Sequence, residues 1–253
     1  MDSLFIGKNI LRFDTLESTN SYAIELLKNE RLTEGTLIIA SHQTKGRGQR
    51  GNDWDSESGK NLTFSLVINP TFLDFSKQFY LSKITALAIY DCLTYVLSSS
   101  QYDVNIKWPN DILLNNRKIA GILIESQFYR QKIHHSVVGI GINVNQTTFS
   151  DKLPVATSIR NEIQEKLDLN FILNSFCSFF ESWYLKLRAG KFDLISKEYL
   201  QRLFFFQSEV KFLKNDLEYK GKILDVNEDG KLCVESDEGV ILYYEMKEIK
   251  ILY

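Results

Sequence analysis

One stretch of this chain, Gln43-Thr44-Lys45-Gly46-Arg47-Gly48-Gln49-Arg50-Gly51-Asn52-Asp53-Trp54, gathers three glycines and three cations. Glycines let a backbone bend until several N–H groups face one anion, and Lys45, Arg47 and Arg50 add positive charge to the same loop. The chemistry such a segment suits is the holding of a phosphate or a carboxylate; the alternative is a solvated hairpin tip. It is not a Walker loop, because no Gly-Lys-Ser/Thr ends it. The string Gly46-Arg47-Gly48-Gln49-Arg50-Gly51 fits the dinucleotide fingerprint by its letters, but a strand rather than a helix is expected next. A second signal is Lys107-Trp108-Pro109-Asn110-Asp111. Here an aromatic and a proline set an amide and a carboxylate at a strand end, an arrangement suited to Mg²⁺ or a nucleotide edge, or to a plain turn. Lys118 follows at the mouth of the apolar run Ile119 to Glu125. A cation there can meet a phosphate, or can snorkel to water. Gly139 and Gly141 sit inside another apolar run, where glycine costs stability and marks close approach of a ligand or backbone.

These residues need a scaffold, and the hydrophobic pattern supplies one. Ile10 to Phe13 reads as a strand. Ser18-Thr19-Asn20 offers capping groups ahead of Tyr22, Ala23, Leu26 and Leu27, which share one helical face. Thr36 to Ser41 and Leu62 to Ile68 are β-rich runs flanking the polar loop His42 to Asn61. Lys83 to Leu97 is helical in pattern. Strands are expected at Val104 to Lys107, Ile112 to Leu114, Ile119 to Ser126 and Ser136 to Val144, with turn signals at Pro109-Asn110-Asp111 and Asn115-Asn116. Asn170 to about Leu203 is helical, with an apolar face of Phe171, Phe176, Phe179, Phe180 and Trp183. After Phe206 come short strands spaced by turns. The expected fold class is α+β: a mixed-sheet domain over residues 1–204, then a small SH3-like β-barrel domain over 205–253.

Composition narrows the classes. A chain of 253 residues with 44% hydrophobic residues and only 3 prolines must fold rather than stay disordered. Its formal charge of −2 gives no bulk attraction to a polyanion, so neither nucleic acid nor a membrane surface is an expected partner. Cys92, Cys177 and Cys233 are far apart and lack metal-ligand spacing, which fits free thiols in a reducing compartment. Neither a signal peptide nor an apolar span long enough for a bilayer is apparent. A cytoplasmic location is expected.

Taken together, Gly46-Arg47-Gly48 through Trp54, Lys107-Trp108-Pro109-Asn110-Asp111, Lys118-x-x-Gly121-Ile122-Leu123-x-Glu125 and Gly141-Ile142-Asn143-Val144-Asn145 resemble, in order and spacing, the biotin protein ligases. Ser18-Thr19-Asn20, Ala156-Thr157-Ser158 and the small β region extend the resemblance over nearly the whole chain. It implies an ATP-dependent enzyme that forms biotinyl-5′-AMP and pyrophosphate, then transfers biotin to a lysine of a biotin carboxyl carrier domain. It further implies biotin contacts from Ser18, Thr19, Asn20, Gln43, Arg47, Gly48, Gln49, Lys118 and Gly121. ATP contacts are implied for Arg50, Trp54, Lys107, Asn110, Asp111 and Asn143, with Mg²⁺ at Asp111. Lys118 and Arg47 would be the catalytic cations. Many relatives carry Arg where this chain has Gln49 and Asn52, so its loop holds fewer fixed charges.

Some bacterial members carry an N-terminal helix-turn-helix and repress transcription. With the first strand near Ile10 there is no room for one, so a monofunctional ligase is expected. A homodimer through an exposed sheet edge is compatible with the pattern. Two other readings compete: a lipoate or octanoate protein ligase of the same fold, and a non-enzymatic nucleic-acid-binding module. The first lacks its Arg-Arg-x-x-Gly-Gly-Gly loop here, and the second lacks aromatics interleaved with the basic residues of the loop.

Overall fold

A computed structural model describes residues 3–29, 32–99, 101–150 and 156–253. Strand β1 (Ile10–Leu16) leads into helix α1 (Thr19–Lys28), which starts where the Ser18 hydroxyl accepts the Ser21 N–H at 3.4 Å. Strands β2 (Leu37–Gln43) and β3 (Leu62–Ile68) flank the glycine-rich loop, and helix α2 (Phe79–Leu97) follows. Then come β4 (Val104–Lys107), β5 (Asp111–Leu114), β6 (Arg117–Tyr129) and β7 (Lys132–Ile142). These seven strands form one sheet in the order β1-β2-β3-β7-β6-β5-β4, with β1 and β2 parallel and the other pairs antiparallel.

Alternation along the central strands decides which face does what. Leu37, Ile39, Leu66, Ile68, Val138 and Ile140 join the main core, while Ile38, Val67 and Val137 pack under Ala23 and Leu27 of α1 on the opposite face. That opposite face continues past α1 through Ser65, Leu123 and three glycines. Gly121 is the register partner of Gly141, and Gly139 that of both Leu123 and Ser65. Where α1 ends its cover, the sheet therefore presents bare backbone.

A short helix α3 (Ile159–Ile163), unread in the sequence, precedes α4 (Leu169–Arg188) and α5 (Phe192–Gln201). The long helical run expected from Asn170 is thus two helices, broken at Gly190, whose φ of +70° suits glycine. The β6–β7 strands also run further than their apolar cores suggest. They meet at a two-residue turn, Arg130-Gln131, in which both residues have positive φ. Asn115-Asn116 and Asn215-Asp216 adopt the same left-handed pair and were legible as turns; Arg130-Gln131 lacks the usual residue types.

The C-terminal region forms a second, antiparallel sheet of β8 (Glu209–Lys214), β9 (Leu217–Val226), β10 (Leu232–Ser236), β11 (Ile241–Tyr244) and β12 (Lys250–Leu252), in the order β11-β10-β9-β8-β12. It is moored to the first sheet's layer through α2. The Lys83 ammonium, 1% exposed, donates to the Val226 carbonyl at 2.9 Å and to Ser196 Oγ at 3.2 Å. Burial pulls its pKa down to about 8. Nearby, Trp108 Nε1 donates to the Gly230 carbonyl at 2.8 Å, and Gly230 is pressed so closely on the Phe79 ring that a Cβ there would overlap it.

Candidate active site

The bare glycine face is the floor of a cavity of about 580 Å³ that lies between the two sheets. Its walls include Ser18, Thr19, Asn20, Gln43, Arg47, Gly48, Gln49, Trp54, Lys107, Asn110, Asp111, Lys118 and Gly121. The structure thus brings four separate sequence segments to one hollow. The Trp54 indole lies on the floor: a Cβ on Gly141 would overlap its ring, and one on Gly121 would stand 3.0 Å from Cζ3. Gly141 is therefore required by close approach, as the sequence pattern implied, Gly121 is crowded by the same ring, and the group that approaches is the chain's own tryptophan. Its Nε1–H is buried with no hydrogen-bond partner among the described residues.

The glycine-rich loop folds on itself. Arg47 and Asp53 form an isolated bridge, Trp54 N–H donates to the Gly46 carbonyl at 2.9 Å, and Gly48 N–H donates to the Asn52 carbonyl at 2.6 Å. It is both a hairpin tip and a cavity wall, so the two readings of this segment describe one object. Gln49 Nε2 reaches Met246 Sδ at 3.0 Å, joining the loop to the second sheet. The Arg50 side chain lies outside what the structure describes.

Of the cations that line the cavity, Lys118 and Arg47 are each held by a carboxylate. Lys118 Nζ is 2.6 Å from Asp111 Oδ1, with the two side chains 33% and 19% exposed, and it lies 5.6 Å from the Trp54 ring centroid. Arg47 Nη2 is 2.6 Å from Glu125 Oε2. At the other end, α1 delivers a polar chain. Gln43 Oε1 accepts from Thr19 N at 2.8 Å and Oγ1 at 3.2 Å, and Ser65 Oγ bonds Thr19 Oγ1 at 2.8 Å and Asn20 Oδ1 at 2.5 Å. Thr19, Asn20 and Ser65 are buried, Gln43 is half-buried, and the bonds among them pre-orient the chain.

The Asn110 amide is spent on mooring its turn: it donates to the Ile122 carbonyl at 2.9 Å while Ile122 N–H returns a bond to the Asn110 carbonyl at 3.0 Å. That fixes Asp111 at the mouth. Lys107 Nζ bonds Tyr253 OH at 3.2 Å. Asn143 is not brought to the cavity wall. It is a buried brace whose Nδ2 donates to the Thr157 carbonyl at 3.0 Å, while Thr157 N–H donates to the Lys118 carbonyl at 2.9 Å. Leu213, Asn215, Asp216 and Lys247 to Ile251 of the second sheet close the opposite side. Their only local signature is turn composition.

Among the described residues no group of three or more His, Cys, Asp or Glu converges to hold a metal, and no helix is long and apolar enough to cross a membrane. All three cysteines are free and buried, and burial pushes the Cys92 and Cys177 thiols up to about 12. Neither is a usable nucleophile at neutral pH.

Residues 12–143 match the biotin/lipoate A/B protein ligase family, and residues 206–250 match the biotin protein ligase C terminal domain. The chain is 31% identical over 242 residues to the bifunctional ligase/repressor BirA of Bacillus subtilis, covering 94% of this chain and 73% of that protein. It is 30% identical over 227 residues to the biotin (acetyl-CoA-carboxylase) ligase of Paracoccus denitrificans, covering 88% and 92%. Among solved structures, the biotin protein ligase from Aquifex aeolicus in complex with biotin and ATP superposes with a TM-score of 0.79 at 26% identity, over 97% of this chain and 99% of that one. With two family models, these relatives and the superposition in agreement, the chain belongs to the biotin/lipoate A/B protein ligase family, among its biotin protein ligases.

Proposed function

We propose that the cavity joins biotin to ATP and then hands biotin to a lysine on the biotin carboxyl carrier domain of a carboxylase. In the first half-reaction a biotin carboxylate oxygen attacks the α-phosphorus. The new P–O bond forms as the bond to the β-phosphate bridging oxygen breaks, and pyrophosphate leaves. In the second, the carrier amine attacks the acyl carbon, AMP departs with the former carboxylate oxygen, and the amine loses a proton.

A carboxylate approaching a polyphosphate brings like charges together, so the site's cations carry the chemistry. Lys118 is placed to leave Asp111 for the oxygens of the α-phosphate as negative charge builds there. Arg47 serves the biotin carboxylate. Ser18, Thr19, Asn20 and Gln43, with the backbone at Gly48, Gln49 and Gly121, form the biotin end. Trp54, Lys107, Asn110, Asp111, Arg50 and Asn143 belong to the nucleotide end, with Asn143 acting from beneath, through the segment it braces. Asp111 offers one carboxylate oxygen pair beside Lys118, a donor set that fits Mg²⁺ held mainly by phosphate oxygens and water. Mg²⁺ bound there would offset phosphate charge.

Residues 1–204 act as the catalytic unit, and residues 205–253 as the small domain that closes the cavity. The working compartment is the cytoplasm, supported by three buried free thiols. The observation that carries the reading is the Lys118–Asp111 pair at the mouth of a cavity whose floor is three neighbouring glycines. The test is pyrophosphate release on adding ATP and Mg²⁺ with biotin or with lipoate, followed by streptavidin detection of a carrier domain. Release with lipoate in place of biotin would overturn it.

A further inference from the structure

Glu125 does not line the cavity, yet it ties the glycine-rich loop to the sheet. One of its oxygens, Oε2, accepts from Arg47 Nη2 at 2.6 Å and from Asn20 Nδ2 at 2.8 Å. Asn20 is 3% exposed and cannot swing: it also donates to the Leu123 carbonyl at 3.1 Å and accepts from Ser65 Oγ at 2.5 Å. Gly139 makes the room, since a Cβ there would overlap the Asn20 amide. The carboxylate is thus fixed from below by a rigid polar chain and offers its charge upward to the loop. A second ion pair from the loop to the body, Lys45–Glu17 at 2.9 Å, has side chains 71% and 70% exposed, where such a pair contributes little.

We infer that Glu125 is a positioning residue, the anchor that grips Arg47 and keeps the glycine-rich loop over the cavity between the two half-reactions. This rests on the adenylate chemistry proposed above. A loop held down excludes water from a hydrolysable anhydride; a loop set free lets the intermediate escape or hydrolyse.

Glu125→Gln tests this, because the amide keeps an acceptor for Asn20 and removes the charge that holds Arg47. With biotin, ATP and Mg²⁺ but no carrier, the first-turnover burst of pyrophosphate should stay within about twofold of the parent. The slow release that follows should rise about fivefold, the population ratio a half-exposed ion pair sets. Added salt should raise the parent's slow release toward that of Glu125→Gln and leave the variant's unchanged. Glu125→Asp, which keeps the charge, should lie between the two. A folded Glu125→Gln protein with parental slow release, or one that loses the burst itself, would overturn the inference. Absence of any biotin-dependent burst in the parent would instead overturn the adenylate reading.

Discussion

Two lysines, one at the joint between the sheets and one at the cavity mouth, show how surroundings assign a role to the same side chain. Lys83 is buried, and its direct hydrogen-bond partners are a carbonyl and a hydroxyl, with Asp225 and Glu228 contributing only through space. Its charge is a cost that the joint tolerates in exchange for two bonds across the interface. Lys118 is a third exposed and paired directly with a carboxylate beside open volume. Its charge is already neutralised and can be transferred to an incoming anion with little rearrangement. A structural lysine is held by groups that stay; a chemical one is held by a group that can exchange.

The sharpest way to break this contrast is Lys118→Ala. It removes no core volume, so the fold should persist, while pyrophosphate release falls about 10²–10³-fold, as when a charge-stabilising donor is lost. Normal turnover would return Lys118 to the class of ordinary surface lysines. The reverse test is pH. Below about 8 Lys83 is charged in both folded and unfolded states, and its burial cost is carried in full. Between about 8 and 10.5 the unfolded chain keeps a proton that the folded chain has shed, so rising pH favours folding through this residue. Relative to Lys83→Met, the parent should gain on the order of 3 kcal/mol across that window. Urea denaturation of both proteins at pH 7.5 and 10 measures it, and a constant gap would mean that Lys83 is not proton-linked. A smaller effect is expected for Asp111→Asn. The Mg²⁺ concentration giving half-maximal pyrophosphate release should rise about tenfold, equivalent to ~1.4 kcal/mol. An unchanged Mg²⁺ requirement would remove Asp111 from the metal. Of similar size is the effect of Trp108→Phe, which leaves the Gly230 carbonyl unpaired. The midpoint of urea unfolding should report a loss of about 1–2 kcal/mol, with adenylate chemistry retained.

Much of this was legible in the chain because the informative signals are local. The β-rich run Leu62–Ile68 and the capping run at Ser18 to Asn20 placed the strand and helix that carry the site, and the in-strand glycines announced a close approach. What escaped was long-range. The partner of Gly121 and Gly141 is Trp54, far away in sequence, and nothing in Lys247 to Ile251 marks it as the facing wall. Asn143 sits in a motif beside site residues, yet its Nδ2 is turned to the Thr157 carbonyl. A motif fixes neighbourhood, and only packing decides which face a side chain takes.

The position of Trp54 has a practical consequence. The chain has three tryptophans, and two of them emit from fixed settings, Trp108 against the Gly230 carbonyl and Trp183 against the Asp91 carboxylate. The third lies on the cavity floor with an idle indole N–H, so filling the hollow must change its polarity and its quenching by Lys118 and the peptide groups beneath it. The molecule thereby carries its own optical gauge of occupancy, readable by emission without any label.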